Sequence, residues 1–266
     1  VAQGTSTSSP PTKQPAVAGA GPRHSAGLVW HDEFTGRAGA PPNRAHWGAL
    51  SGPRNDQLQN FRPDNVSLDG AGHLVITARR QVYTDRNGVT RQFTSGSIET
   101  RGLFQTPRYG SLLARIEIPR GKGLWPAFWA LGNNYGRVGW PRCGEIDVME
   151  NTGGNPFRIK GSIHGPQAHT SIDYAVHRVA WSRVSLATGF HIYGVTWRPG
   201  KIIFTLDGVH YGTVTPADLS NGQRWVFDKP VFLILTLAIQ GGPSAQPDAA
   251  TRFPARMLVD WVRVYR

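Results

Sequence analysis

Glu145, Asp147 and Glu150 stand close together in Glu145-Ile146-Asp147-Val148-Met149-Glu150, separated only by apolar residues. In a β-strand, successive side chains alternate faces, so Glu145 and Asp147 share one face while Ile146 and Val148 take the other. Strict alternation would turn Glu150 to the apolar side. One extra residue, a β-bulge at Val148–Met149, returns it to the face of the other two acids. Two carboxyl groups about 5–5.5 Å apart can cleave a glycosidic bond with retention, one as nucleophile and the other as acid/base. That chemistry needs one group ionised and the other protonated near working pH. A third acid between them can hydrogen-bond one carboxyl and shift the proton affinity of the other by its charge. From spacing alone, a solvated acidic strand face and a cation site remain open beside catalysis.

Aromatic residues gather next to these acids in sequence. Trp125-Pro126-Ala127-Phe128-Trp129 and Trp140-Pro141 lie just upstream, and Trp225 lies downstream. Sugar rings present apolar C–H faces that stack on aromatic planes, which makes Trp125, Trp129 and Trp140 candidate platforms. Trp30, Trp197 and Trp261 read as core packing. His164, at the end of its strand, could donate to a hydroxyl or hold a carboxylate. Arg101 in Glu99-Thr100-Arg101-Gly102 could orient a Glu or form a surface ion pair.

Many short strands must position these groups. Gly 32 and Pro 20, with aromatics at 10%, favour strands and turns over long helices. Asp69-Gly70-Ala71-Gly72 joins two strand-like runs as a hairpin, and the turns at Arg198-Pro199-Gly200-Lys201 and Asp207-Gly208 make a meander of the three runs they join. A single short helical turn is expected at Pro216-Ala217-Asp218-Leu219 after a Thr215 cap. The pattern reads as one antiparallel β-sandwich, and 266 residues suit a domain of this class.

Composition bounds the remaining classes. The stretch 1–27, rich in Ser, Thr, Pro, Gly and Ala, reads as a disordered tail or linker, and 28–266 as the folded domain. Val1 in place of an initiator Met reads as a processed product, so a secreted or cell-envelope location is expected. The single Cys143 excludes an internal disulfide, and the run Val231 to Ile239 is too short to cross a bilayer. The formal charge of +12 is spread over scattered basic residues without a nucleic-acid motif, so a nucleic-acid partner is not expected. Nothing in the sequence requires an oligomer, and a monomer is expected. Gly132 and Gly136 lack a dinucleotide-site context, and no zinc-ligand spacing is present.

Gly144-Glu145-Ile146-Asp147-Val148-Met149-Glu150-Asn151 resembles the signature of glycoside hydrolase family 16, in the bulged form of the laminarinase-like bacterial endo-β-1,3-glucanases. Further stretches match in order: Ser95 to Gly102, Gly121 to Trp129, Gly189 to Trp197 and Leu258 to Tyr265. The resemblance implies a concanavalin-like β-jelly roll of two curved antiparallel sheets, with a glucan cleft across the concave one. It implies Glu145 as nucleophile, Glu150 as acid/base and Asp147 as helper. Trp125, Trp129 and Trp140 would line the subsites beside cleavage, with Arg101 and His164 close by and Asn60 as a further cleft residue. No cofactor would enter the chemistry. A structural calcium would sit on the convex face, held by Asp260 and main-chain oxygens near Glu33 and Gly72.

The implied activity is endo-acting, retaining hydrolysis of β-1,3-glucosidic bonds in laminarin-type glucans. A non-catalytic β-glucan-binding protein is the alternative of another class. Transglycosylation, or hydrolysis of mixed-linkage glucan or galactan, would keep the enzyme and change the outcome. Thr236 and Gln240, within Leu235-Thr236-Leu237-Ala238-Ile239-Gln240-Gly241-Gly242, depart from the family pattern and bear on which linkage is preferred.

Overall fold

The computed structural model describes residues 27–266 apart from 55, 56, 169, 171 and 243. The expected tail therefore lies outside the described residues except for Gly27. The first strands are β1 (Leu28–Asp32), β2 (Gly48–Ala49), β3 (Gly52–Pro53), β4 (Gln59–Phe61), β5 (Val66–Leu68) and β6 (Leu74–Thr84). Next come β7 (Thr90–Ser95), β8 (Ser97–Glu99), β9 (Gly110–Glu117), β10 (Leu124–Gly132), β11 (Glu145–Glu150) and β12 (Arg158–Pro166). The last are β13 (Asp173–Trp181), β14 (His191–Arg198), β15 (Lys201–Leu206), β16 (Val209–Val214), β17 (Val231–Ile239) and β18 (Ala255–Tyr265). Among the described residues, helix is confined to the single turn α1 (Tyr135–Val138) and two 3-10 turns, Pro63–Asn65 and Pro216–Asp218. The second of these carries the expected Thr215 cap, with Asp218 completing a capping box.

Two sheets form. The larger runs β16-β15-β14-β9-β18-β6-β7-β4-β3, with β1 added on β18 and β5 on β6. The smaller runs β13-β12-β11-β10-β17-β8-β2. Pairing is antiparallel except between β4 and β7, which run parallel. The exception follows from chain direction: β4 continues through a 3-10 turn into β5, and the chain then reverses twice, through β6 into β7.

Alternation builds the core between the sheets. In β17, Val231, Leu233, Leu235, Leu237 and Ile239 join the main core cluster. The alternate residues Phe232 and Ile234 form a second cluster with Leu131 and Cys143, and α1 adds Tyr135 and Val138 to it. Each such side chain contributes roughly 1.5–3 kcal/mol on full burial. Trp197 is buried in the main core, with Trp30 packed against it. Gly161 on β12 is required by close approach, because a Cβ there would sit 2.4 Å from the Phe204 ring of the larger sheet.

Candidate active site

β11 lies between β10 and β12, and its register supplies the bulge that alternation demands. On the β10 side, Phe128 pairs with Met149 and Trp129 with Asp147, so one step on β10 spans two on β11. On the β12 side, Asp147 pairs with Ser162 and Glu150 with Lys160, so three steps on β11 match two. Val148 and Met149 are both fully buried in the core. Glu145, Asp147 and Glu150 consequently line one cavity of about 500 Å³. Gly144 precedes them at φ 80°, a backbone conformation that suits glycine.

Neighbouring strands furnish the walls. From β10, Trp125, Ala127, Trp129 and Leu131 face the cavity; from β12, Lys160 and His164; from β17, Thr236 and Ala238. Arg54, Gln57, Tyr135, Trp140 and Asp173 complete the lining. The volume suits an extended polar ligand bounded by aromatic planes and a few placed polar groups.

Each carboxylate has its own set of donors. Glu150 accepts from Trp125 Nε1 at 3.1 Å on one oxygen. Its other oxygen accepts from Ser162 Oγ at 3.1 Å and faces Lys160 Nζ at 2.9 Å. Glu145 accepts from Trp140 Nε1 at 2.6 Å. Trp129 turns its indole N–H to Thr236 Oγ1 at 3.1 Å, and Thr236 is joined to Ser97 Oγ at 2.7 Å. His164 is held through Nδ1 by Asp173 at 2.8 Å, which leaves Nε2 3.3 Å from Asp147 Oδ2.

Burial pushes the proton affinity of Glu145 well above the ordinary carboxylate range, and the charge of Asp147 adds to it. Burial likewise raises Asp147, reinforced by the charge of Glu150 and opposed by Lys160. Glu145 and Asp147 share a side-chain hydrogen bond. The pair therefore keeps a proton between its carboxyls where isolated acids would have lost theirs. Glu145, Asp147 and His164 are also, among the described residues, a trio whose ligand atoms lie within 4.8 Å of one another, close enough to grip a cation.

Of the residues singled out from sequence, Trp125, Trp129, Trp140 and His164 converge on the three acids. Two do not. Asn60 is fully buried and spends its amide on the carbonyls of Tyr83 and Val89, tying β4 to the β6–β7 hairpin away from the cavity. Arg101 forms an ion pair with Glu99 at 2.8 Å, the alternative considered for it, and lies over the Tyr135 ring outside the lining. Thr236 does face the cavity, whereas Gln240 is not part of its lining. Lys160, Ser162, Arg54, Gln57 and Asp173 had not been singled out; a period-two reading of Lys160, Ser162 and His164 along β12 would have found the first two.

The calcium ligands expected from the resemblance are Asp260 and main-chain oxygens near Glu33 and Gly72. Asp260 Oδ2 accepts from Arg115 Nη1 at 2.5 Å, and Oδ1 faces His73 Nε2 at 3.9 Å. The Glu33 side chain stands outside that donor set, both of its oxygens accepting from Arg263 at 2.9 Å.

Comparison with known proteins places this geometry among others. The family model described as glycosyl hydrolases family 16 matches residues 55–263. The beta-glucanase of Rhodothermus marinus is 35% identical over 254 residues, spanning 90% of this chain and 85% of that protein. The clotting factor G alpha subunit of Tachypleus tridentatus is 33% identical over 90% of this chain, which spans only 34% of that longer protein. The solved endo-beta-1,3-glucanase of Pyrococcus furiosus superposes with a TM-score of 0.80 at 41% identity, covering 90% of this chain and 93% of that one.

Proposed function

The chain belongs to glycosyl hydrolases family 16 and is a glycoside hydrolase, and from that premise we propose an endo-acting enzyme that cleaves β-1,3-glucosidic bonds with retention. The observation that carries this reading is the return of Glu150, through the Val148–Met149 bulge, to the cleft face of Glu145 and Asp147. Glu150 protonates the leaving glycosidic oxygen while Glu145 attacks the anomeric carbon. The C–O bond to the leaving sugar breaks as the bond to the Glu145 carboxylate forms. Glu150, now ionised, takes a proton from water, which displaces Glu145 and regenerates both groups.

Asp147 serves as proton keeper. The nucleophile must be ionised at the moment of attack, so the proton shared by the pair resides on Asp147 in the working state. The Trp140 indole N–H favours that arrangement by donating to Glu145. Trp125 and Trp140 each donate to a carboxylate while bordering the cavity, so they fix the acids and the sugar path together. A polymeric substrate of this kind suits a secreted or envelope-associated enzyme.

Product sizing on a panel of laminarin, mixed-linkage β-glucan and galactan tests the linkage. Rapid release of short oligosaccharides from laminarin, slower attack on mixed-linkage glucan and none on galactan is the expected result. Preferred cleavage of galactan, or binding of laminarin without new reducing ends, would overturn the reading.

A further inference from the structure

The floor of the smaller sheet does not end at the cavity wall. β13 is its edge strand, and its residues pair directly with those of β12: Asp173 with Pro166, Ala175 with His164, His177 with Ser162, Val179 with Lys160 and Trp181 with Arg158. Residues directly opposite one another on adjacent strands share a face. Because Lys160 and His164 line the catalytic cavity, Val179 and Trp181 stand on the same face one strand further out. The alternate residues Tyr174 and Ala180 are buried, as the opposite face requires.

Trp181 is 67% exposed, more than Trp140 at 45%. A large aromatic left in water on an edge strand is an uneconomical way to finish a sheet. Phe157 and Val184 are exposed beside it, brought to the same corner by the bond from Ser182 N to Phe157 O at 2.7 Å. Strand spacing of about 4.8 Å and a rise of about 3.3 Å per residue put the Trp181 backbone roughly 12 Å from that of Glu150. That distance is beyond the sugars that touch the carboxylates and within reach of the same polysaccharide chain.

We propose that Trp181, with Arg158 beside it, forms an outer glycan subsite in which a sugar ring of the bound polysaccharide stacks on the indole and offers hydroxyls to the guanidinium. The inference rests on the hydrolase reading above, since the occupant is the polymer already threaded through the cleft. Continuity of the sheet face from Lys160 to Trp181 selects that occupant. An aromatic plane flanked by a multidentate donor matches the apolar face and hydroxyl rim of a hexose.

The test compares wild type, Trp181→Ala and Trp181→Tyr on laminarin and on the shortest laminari-oligosaccharide that the wild type cleaves. The expected result for Trp181→Ala is a loss of roughly tenfold in kcat/KM on laminarin, the size of one good stacking contact, with the short substrate unaffected. Trp181→Tyr should recover most of that loss. Unchanged activity on laminarin would overturn the subsite, and so would an equal loss on both substrates with a lowered Tm. Wild-type cleavage of both substrates keeps the hydrolase reading intact in either case, so the two failures are distinguishable.

Discussion

Lys160 Nζ lies 2.9 Å from Glu150 Oε2, within the cavity that also holds Glu145 and Asp147. With Trp125 Nε1 and Ser162 Oγ, the ammonium fixes the position of the carboxyl proposed as acid/base. Lys160→Met should lower kcat on laminarin by roughly tenfold, the cost of one lost charged contact to that group. Lys160→Arg, which keeps a charged donor there, should retain most of the activity. Steady-state kinetics on laminarin check both, and an unchanged kcat in Lys160→Met would mean that Lys160 does not position Glu150.

Asp147 is buried between two other acids, and this costs stability. The folded protein holds protons on Glu145 and Asp147 above the pH at which ordinary carboxyls, near 3.8 and 4.5, have released them. The unfolded chain binds fewer protons in that window, so stability falls as pH rises through it and levels off above the raised values. Asp147→Asn removes one charge from the cluster. Its Tm should exceed that of the wild type at neutral pH by the equivalent of about 1 kcal/mol, with a smaller difference near pH 4. Its kcat should fall by roughly 10²-fold.

Cys143 sits in the small cluster beneath the cavity wall, packed with Leu131, Phe232 and Ile234. Burial, followed by the charge of Glu145, pushes its thiol up to about 11. The folded protein should resist an aromatic disulfide reagent at pH 8 and react with one equivalent once denatured. Fast labelling of the native protein would mean that this wall opens.

Arg263 on β18 meets both carboxylate oxygens of Glu33, just beyond the end of β1. The Glu33–Arg263 pair is partly exposed, so Glu33→Gln should cost no more than about 1 kcal/mol. Burial raises the Glu33 carboxyl, but the Arg263 guanidinium outweighs it and the net shift is downward. That small contribution should therefore be present at neutral pH and fade as pH falls through the depressed value.

The three acids and their bulge were legible because alternation failed by one residue, a local property of six positions. The Trp-Pro-Ala-Phe-Trp strand was legible for a similar reason, since its alternate tryptophans share a face. Lys160 was not: it pairs with Glu150 only through the antiparallel register of β11 and β12, which a linear reading does not supply. Asn60 came only from the resemblance, which carries no hydrogen-bond partners, whereas its amide is consumed inside by two carbonyls of the β6–β7 hairpin. Strands β2 and β3, two residues each, are too short for any periodicity to register.

In the proposed mechanism Glu145 forms the covalent bond to the sugar. Incubation with a 2-deoxy-2-fluoro laminari-oligosaccharide bearing a good leaving group should trap the glycosyl-enzyme, because the fluorine slows the hydrolytic step more than the attack. Peptide mass mapping should then place one label on Glu145. A label on Asp147 or Glu150, or no label with products released in inverted configuration, would contradict the account.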